Sequence, residues 1–231
     1  MLNNMALSKC DLIYAPIAIF LPTILILSVT PNLVISAQTS DYTLLRIWGT
    51  KGSENGQFNI PHSLAFDRFG NAYVSDTNNQ RIQKFTADGK FITKWGSRGS
   101  DDGQFSRHAH GVEIDSSNYV YVTDRFHHDI KKFTGDGKFI TKWGSEGSSD
   151  GQFLLPLGIG IDSLDNLYIV DQKRSSVEKF ASDGKFIQRI LIQSSANDSS
   201  SNLEDIELDK NDIIYVTDRG EHNIKIYAPV K

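Results

Sequence analysis

Three nearly identical phrases run through the chain: WGTKGSENGQF (Trp48–Phe58), WGSRGSDDGQF (Trp95–Phe105) and WGSEGSSDGQF (Trp143–Phe153). Their tryptophans are 47 and 48 residues apart. A second feature repeats four times: an aspartate with a tyrosine three residues before it. These aspartates are Asp76, Asp124, Asp171 and Asp218. A fixed period of this length predicts a repeat architecture.

Each repeat contains several short segments with the character of β-strands. In the first copy these are His62–Asp67, Ala72–Ser75, Arg81–Phe85 and Phe91–Trp95. Polar turns separate them, and Asp88-Gly89 is a strong hairpin signal. Second strands such as Leu167–Val170 are apolar on both faces, which indicates burial between stacked sheets. Four antiparallel strands per repeat, without helices, predict a propeller blade whose Tyr and Trp side chains fill the blade interfaces.

The all-β chain is therefore predicted to form a β-propeller of four blades with four antiparallel strands each. The repeats cover about residues 58–95, 105–143, 153–190 and 203–228. The last repeat stops after its third strand, whereas Tyr42–Trp48 (YTLLRIW) resembles an unpaired fourth strand. We expect this N-terminal strand to close the ring, because closure removes two open sheet edges. Closure between two copies of the chain is the alternative, so both a monomer and a ring-completing homodimer are expected.

Residues 1–37 form a separate segment ahead of the propeller at 38–231. Residues 12–29 are apolar and uncharged, and the small-residue stretch Val34–Ala37 follows them. This pattern predicts either a signal peptide cleaved after Ala37 or a retained transmembrane anchor. In both cases the repeats are exported, to an extracellular or cell-surface location. Asn197 begins a glycosylation sequon, Asn-Asp-Ser, in the irregular junction before the last repeat.

Composition narrows the classes of function. The chain has 231 residues and a formal net charge of −4, which disfavours a general nucleic-acid binder. Cys10 is the only cysteine and lies in the N-terminal segment, so the repeats contain neither a disulfide nor a thiolate metal site. Phosphate-binding loops, nucleophile elbows and the usual metalloprotease motifs are missing from the sequence. Composition and motifs therefore favour a non-enzymatic protein.

The repeats resemble the NHL repeat, whose signature runs from a Pro-x-Gly strand through Gly-Asn-x-Tyr-Val-x-Asp to Asn-x-Arg-Ile-x-x-Phe. The matching stretches are Pro156–Asp162, Gly70–Asp76 and Asn79–Phe85. The resemblance covers about residues 42–227 and implies a β-propeller, most often one of six blades. It also implies a scaffold for binding or sensing a protein, peptide or glycan.

The NHL domains of tripartite-motif proteins are similar, and some bind RNA through a basic face. Their zinc-binding RING domain has no counterpart here, so the resemblance does not support ubiquitin-ligase activity. Basic residues recur along the third strands of this chain, and we interpret them as a solvated rim: Arg81, Lys84, Lys131, Lys132, Lys179 and Lys225. No nucleic-acid partner is expected.

Peptidyl-hydroxyglycine amidating lyases are also NHL propellers, and they hold zinc in the central channel with His residues from different blades. The matching column in this chain reads His62, His110, Leu157 and Glu204. The resemblance implies a possible Zn²⁺ site formed by two imidazoles and a carboxylate. A metal-dependent lyase or hydrolase using this site is the alternative function; otherwise no cofactor, no catalytic residue and no metal is expected.

The candidate ligand-binding face consists of the loops between the second and third strands. Its residues are Asn78, Asn79, Arg125, His127, His128, Lys173, Arg174, Arg219 and His222. The four aspartates that begin these loops are expected to cap turns, because their spacing does not match a calcium-binding loop.

Overall fold

A computed structural model describes residues 44–193 and 202–229, and every sheet in it is antiparallel. Blade 1 contains β1 (Pro61–Phe66), β2 (Ala72–Asp76), β3 (Arg81–Phe85) and β4 (Phe91–Trp95). Blade 2 contains β5 (Ala109–Ile114), β6 (Tyr119–Asp124), β7 (Asp129–Thr134) and β8 (Phe139–Trp143). Blade 3 contains β9 (Pro156–Ile161), β10 (Leu167–Asp171), β11 (Ser176–Phe180) and β12 (Phe186–Leu191). Blade 4 contains β13 (Leu203–Leu208), β14 (Ile214–Asp218) and β15 (Asn223–Tyr227).

The predicted all-β propeller of four blades is confirmed, and the strands of blade 1 lie where the sequence places them. Within each blade the strands follow chain order, with the first strand nearest its counterparts in neighbouring blades. Two short 3₁₀ turns, Thr77–Asn79 and Gln172–Arg174, are the helical elements of the described residues. Among those residues no helix has the length and apolar character needed to cross a bilayer. Residues 12–29 and Asn197 lie outside the described part of the chain.

The predicted closing strand is wrong for the part of it that the structure describes. Leu44–Trp48 forms no strand, and the sheet of blade 4 has three strands rather than four. The ring of Trp48 packs instead on Phe85 of blade 1, at 5.8 Å between centroids, and on the hairpin glycine Gly89. Contact with blade 1 holds this tryptophan in place, as Trp95 is held by blade 2. Tyr42 and Thr43 lie outside the described residues.

The blades are joined by apolar interfaces that repeat from one pair to the next. Tyr73 and Ile82 of blade 1 pack against Val112 and Val122 of blade 2. The ring of Tyr73 meets Trp95 edge-on at 6.1 Å, and Tyr121 meets Trp143 in the same way at 6.2 Å. The predicted role of the repeated Tyr and Trp side chains in the blade interfaces is confirmed.

Each glycine-rich phrase folds on itself ahead of a blade. In the first phrase the amide of Gly52 donates to the carbonyl of Phe58, and the Phe58 amide donates to Thr50. Oδ1 of the buried Asp76 then accepts from the amide of Asn59 at 2.7 Å. Backbone amides donate in the same way to Asp124, Asp171 and Asp218. The four aspartates therefore attach the preceding segment of chain to the end of the second strand in every blade.

The interpretation of the third-strand cations as a solvated rim is wrong for two of them. Arg81 is buried and donates from Nε to Asp76 at 2.7 Å, and Lys131 is buried between Asp124 and Asp129. These cations neutralise aspartates that burial would otherwise destabilise. Half-buried lysines lie over tyrosine rings in blades 1 to 3, at ammonium-to-centroid distances of 4.8, 4.9 and 4.7 Å: Lys84, Lys132 and Lys179.

Candidate ligand and metal site

The start of every first strand lies at the same end of its blade as the loop that follows the second strand. Pro61 pairs with Asp76, Ala109 with Asp124, and Leu203 with Asp218, each in an antiparallel register. The predicted metal column and the predicted binding loops therefore share one end of the propeller. We call it the channel end.

Two imidazoles and one carboxylate meet at the channel end. The rings of His62 and His110 are 3.8 Å apart between centroids, and Nε2 of each lies 3.7 Å from Oε1 of Glu204. All three potential ligand atoms lie within 4.8 Å of one another. The His110 side chain is 4% exposed, whereas that of His62 is 35% exposed. The cluster is thus closed to solvent at His110 and open to solvent at His62.

The protonation state of His110 suits a ligand nitrogen. Burial, and after it the charge of His62, lower the pKa of His110 to about 3. Its imidazole is therefore neutral near pH 7, which is the form that binds metals. Glu204 is held from the other side, because its Oε2 accepts from Nη1 of Arg219 at 3.2 Å and from Nε2 of Gln172 at 3.5 Å.

The donor set fits a zinc ion. Zinc prefers imidazole nitrogen and carboxylate oxygen at about 2.0–2.1 Å, and catalytic or ligand-binding sites keep an open fourth position. Tetrahedral angles at those bond lengths place N and O ligands about 3.3–3.4 Å apart. Nε2 of each histidine lies 3.7 Å from Oε1 of Glu204, so each of these two pairs is within a few tenths of an ångström of that spacing. Leu157, the column member in blade 3, is buried and supplies no ligand.

A second group of possible metal ligands has a different explanation. Asp124, His127 and Asp129 bring three ligand atoms within 4.8 Å of one another. However, Nζ of Lys131 lies among them, at 2.9 Å from Asp124 Oδ2 and 3.4 Å from His127 Nδ1. The lysine ammonium occupies the place a cation would take, so this group is a buried ion-pair network.

Several predicted binding residues have structural partners. Asn79 donates to Asp76 and to the carbonyl of Gly52. His127 belongs to the ion-pair network of blade 2. Arg174 pairs with Glu178 at 3.1 Å and donates to the carbonyl of Gly147.

The remaining predicted residues are exposed, shape the loops or act on the cluster. Asn78, Lys173 and His222 are exposed at the surface of the channel end. His128 and His222 have left-handed φ angles of 56° and 55°, at the loop position that is also left-handed in the other two blades, so this position shapes the turn. Arg125 and Arg219 act on the cluster: the charge of Arg125 adds to burial and the charge of His62 in lowering the pKa of His110, and Arg219 binds Glu204.

A cavity with cationic walls lies next to Arg125, at the loop of blade 2. It has a volume of about 330 Å³ and is lined by Arg98, Arg107, Phe126 and His127 among others. The guanidinium of Arg125 lies 5.3 Å from the centre of the Phe126 ring. The guanidinium groups of Arg98 and Arg107 make this cavity suitable for an anionic ligand.

Sequence reasoning missed a set of carboxylates that line the inner strands below the cluster. Burial raises the pKa of Glu113 to about 7, and burial likewise raises the pKa values of Asp205 and Glu207. His62 and Glu204 both act on Asp205 through their charges. The available signal was the acidic residues of two inner strands: Glu113 in AHGVEI of β5, and Asp205 and Glu207 next to Glu204 in LEDIEL of β13.

Comparison with known proteins places the fold in a family. A family model described as a 6-bladed beta-propeller matches residues 110–229, and the NHL repeat model matches residues 58–85. Human NHL repeat-containing protein 3 is 40% identical over 45 residues, which are 20% of this chain and 13% of the human protein.

Two solved structures share the propeller fold at low identity. A streptogramin B lyase has a TM-score of 0.53 and 18% identity, covering 74% of this chain and 55% of the lyase. An inactive H270A virginiamycin B lyase from Staphylococcus aureus, with quinupristin, has a TM-score of 0.57 and 14% identity, covering 78% of this chain and 54% of that one. The chain spans about half the length of these lyases. It belongs to the six-bladed β-propeller family, and its repeating unit is the NHL repeat.

Proposed function

We propose that the protein is a binding scaffold that captures a carboxylate-bearing peptide, protein or glycan at the channel end. The observation that carries this proposal is the meeting of His62, His110 and Glu204 from three different blades, with their ligand atoms within 4.8 Å. Two guanidinium groups act on this cluster, those of Arg219 and Arg125, and guanidinium is the side chain best matched to a carboxylate. NHL propellers generally mediate protein interactions, which supports the same class of function.

Zinc is part of this proposal. His62, His110 and Glu204 would hold the ion, and Arg219 would keep the carboxylate of Glu204 turned toward it. When bound, the ion supplies a Lewis acid that attracts an anionic group of the ligand. Arg125 and the cationic cavity beside it would bind further negative charge of the same ligand.

The experiment measures zinc and ligand on the same samples. Purified full-length protein is dialysed against zinc and analysed by mass spectrometry for metal content, and its binding to poly-L-glutamate is measured by calorimetry. We expect one zinc per chain, lost in the His62→Ala/His110→Ala double variant, and poly-L-glutamate binding that weakens in Arg125→Ala. His222→Asn is the matched control, because it removes an exposed histidine from the same end and asparagine tolerates a left-handed φ.

Two results would contradict the proposal. Zinc content equal in wild type and the double variant would show that the cluster is not the metal site. Poly-L-glutamate and poly-L-lysine bound equally well, or neither bound, would show that the channel end does not select an anionic polymer.

A metal-dependent lyase or hydrolase is the second candidate. Two observations favour it: the neutral imidazole of His110 beside an accessible His62, and the fold shared with a streptogramin B lyase and a virginiamycin B lyase. Quinupristin, present in one of those structures, is a direct probe. Cleavage by the zinc-loaded protein that is lost in Glu204→Gln supports this candidate, and an unchanged probe excludes it for that substrate.

Export is the last component of the proposal and rests on the sequence of residues 1–37. Cell fractionation with N-terminal sequencing tests it. A mature chain that begins at residue 38 outside the cell indicates a cleaved signal, and a membrane-bound chain that retains residues 12–29 indicates an anchor. Full-length protein recovered from the cytoplasm would contradict export.

A further inference from the structure

The loop between the second and third strands is tied to the glycine-rich phrase in blades 1 and 3. In blade 1, Nδ2 of Asn79 donates to Oδ2 of Asp76 at 2.8 Å and to the carbonyl of Gly52 at 2.9 Å. In blade 3, Nη2 of Arg174 donates to the carbonyl of Gly147 at 2.6 Å. In both blades one side chain therefore bridges the loop and the same glycine carbonyl of the phrase.

Blade 2 lacks this bridge. The equivalent loop residue is His127, whose Nδ1 lies 2.8 Å from Oδ2 of Asp124. Because a carboxylate only accepts, Nδ1 carries the proton, and the neutral ring has its free lone pair on Nε2. In the described part of the chain no group donates to the carbonyl of Gly99, the counterpart of the bridged glycines. The cationic cavity lies here, with Gly99 and His127 in its wall, so it occupies the place of the missing bridge.

A one-residue insertion adds a cation to the same cavity. Between the phrase and the first strand, blade 2 has Ser106–His108, whereas blades 1 and 3 have only Asn59–Ile60 and Leu154–Leu155. The longer segment contains Arg107, which lines the cavity together with Arg98. Both arginines are exposed, and neither guanidinium has an ion-pair partner within residues 44–193 and 202–229. Two unpaired guanidinium groups at one cavity favour a ligand with a carboxylate.

Phe126 gives the cavity an aromatic wall. Its side chain is 43% exposed, and the imidazole of His108 meets the ring edge-on at 5.4 Å between centroids. The face of an aromatic ring carries partial negative charge, whereas the C–H groups of a sugar ring carry partial positive charge. The cavity thus offers three features to one ligand: two cations, two hydrogen-bond acceptors and an aromatic surface.

We propose that the cationic cavity binds a uronic-acid residue of an acidic glycan. The carboxylate pairs with Arg98 and Arg107, sugar hydroxyls donate to the Gly99 carbonyl and to Nε2 of His127, and the C–H face of the ring packs on Phe126. The volume of about 330 Å³ is near the lower end of small-molecule sites, about 300–1,000 Å³, and suits a single ring.

Other anionic groups match fewer of these features. The side chain of aspartate or glutamate supplies a carboxylate but no hydroxyl donor for the Gly99 carbonyl. A phosphate monoester dianion also lacks a donor, and neither group has an apolar face for Phe126. The inference deepens the proposed function: it rests on a channel end that binds carboxylates, and it selects a glycan from the possible ligands.

The test compares three probes by calorimetry on full-length protein in buffer with a chelator, so that zinc does not contribute. The probes are hexagalacturonate, its full methyl ester and hexa-L-glutamate. The ester keeps the sugar rings but loses the charge, whereas the peptide keeps the carboxylates but loses the rings. We expect hexagalacturonate to bind at least about tenfold more tightly than either, because each of the others loses one set of contacts.

Variants locate the binding. Arg98→Gln and Arg107→Gln should each raise the dissociation constant of hexagalacturonate at least about tenfold, since each removes a charge-assisted hydrogen bond. His127→Asn should raise it about threefold to tenfold without lowering the melting temperature, because an asparagine in blade 1 bonds both the aspartate and the glycine carbonyl. Arg68→Gln is the matched control: it removes an exposed guanidinium that also lies beside a phenylalanine ring, 4.9 Å from its centre, at the opposite end of blade 1.

The outcomes separate this inference from the proposed function. Binding that depends on both arginines but is unchanged in His62→Ala/His110→Ala supports the inference, whether or not the cluster holds zinc. Binding that is lost in that double variant but unchanged in Arg98→Gln and Arg107→Gln overturns it and leaves the proposed function in place. Equal affinity for the methyl ester or for hexa-L-glutamate, or no affinity for hexagalacturonate, overturns it as well.

Discussion

Nε2 of His110 lies 3.7 Å from Oε1 of Glu204, although one residue comes from blade 2 and the other from blade 4. The first strands of the blades converge at the channel end, so residues far apart in sequence become neighbours there. His110 is buried and neutral, and Glu204 is turned toward it by Arg219 on the opposite side of the carboxylate. Arg219 thus supports Glu204 from outside the cluster.

The contact between Arg219 and Glu204 should affect metal affinity. In Arg219→Ala the carboxylate of Glu204 loses its charged hydrogen-bond donor and keeps only the longer contact with Gln172. We expect the zinc dissociation constant to rise about tenfold to a hundredfold, as for other partners of metal ligands. Competition with a chromogenic chelator measures this change. Lys173→Ala removes an exposed cation from the same end and serves as the control. Equal affinities for wild type and Arg219→Ala would show that Arg219 does not position the ligand.

Lys131 should be essential for the stability of blade 2. Its ammonium lies between the carboxylates of Asp124 and Asp129, and its side chain is 1% exposed. Lys131→Met keeps the length of the side chain but leaves two buried carboxylates without a cation, which should cost about 3–5 kcal/mol of unfolding free energy. Urea denaturation measures this change in unfolding free energy. Lys142→Met, which breaks an exposed pair with Asp102, should change stability by less than about 1 kcal/mol. Similar values for the two variants would refute a structural role for this ion pair.

Gly158 should not tolerate a side chain. A Cβ atom there would lie 2.6 Å from Cα of Asp205 in the next blade, and backbone cannot move aside as a flexible side chain can. We expect Gly158→Ala to lower the unfolding free energy by about 1–3 kcal/mol or more. The control is Ser63→Ala, at the same column position of blade 1, which introduces no new Cβ. It loses only the hydrogen bonding of the Ser63 hydroxyl with Val112, mainly the bond accepted from the Val112 amide at 3.2 Å, so it should cost no more than about 1 kcal/mol. A melting temperature unchanged in Gly158→Ala would show that the blades approach less closely than described.

Glu113 should make stability depend on pH. Burial raises the pKa of Glu113 from 4.5 to about 7. Because the folded state favours the protonated acid, its contribution is fully present below pH 4.5 and is lost as pH rises through about 7. The effect is on the order of 3 kcal/mol.

Comparison with Glu113→Gln isolates this contribution. The lowered pKa of His110 acts in the opposite direction, since its contribution is present above pH 6.5 and is lost as pH falls toward about 3. The difference in unfolding free energy between wild type and Glu113→Gln cancels the effect of His110. We expect the wild type to lose stability relative to the variant between pH 4.5 and pH 7. A difference that does not vary with pH would show that Glu113 ionises normally.

The fold could be predicted from sequence because its signals are local and repeated. The Trp-Gly phrases, the Asp-Gly hairpins and the second strands that are apolar on both faces each identify one part of a blade. The repetition of the blade pattern then identifies the propeller. The meeting of His62, His110 and Glu204 could also be anticipated, because a repeat alignment places them in one column and a propeller brings a column together. The closing strand could not, because the LLRIW pattern of Leu44–Trp48 identifies an outer strand without identifying the sheet that it joins.

The buried cations were misinterpreted for a related reason. Lys131 and Lys132 are adjacent and chemically identical, but alternation along a strand sends one between buried aspartates and the other over the ring of Tyr121. Distinguishing them requires knowing that both faces of the strand are covered, which depends on the neighbouring blade. The raised pKa of Glu113 likewise depends first on burial between blades and then on the charges of Glu207 and Asp205 in β13, which belongs to a different blade.

The glycine-rich phrases make each of the first three blades a self-contained unit, which we call a cassette. Phe58 and Phe105 close their own phrases through the same pair of backbone bonds, and the glutamine before each caps the same turn. A duplicated or deleted cassette would therefore meet its neighbours through contacts that already exist elsewhere in the chain. Evolution could change the number of blades in such a protein by unequal recombination, without inventing a new interface at each step.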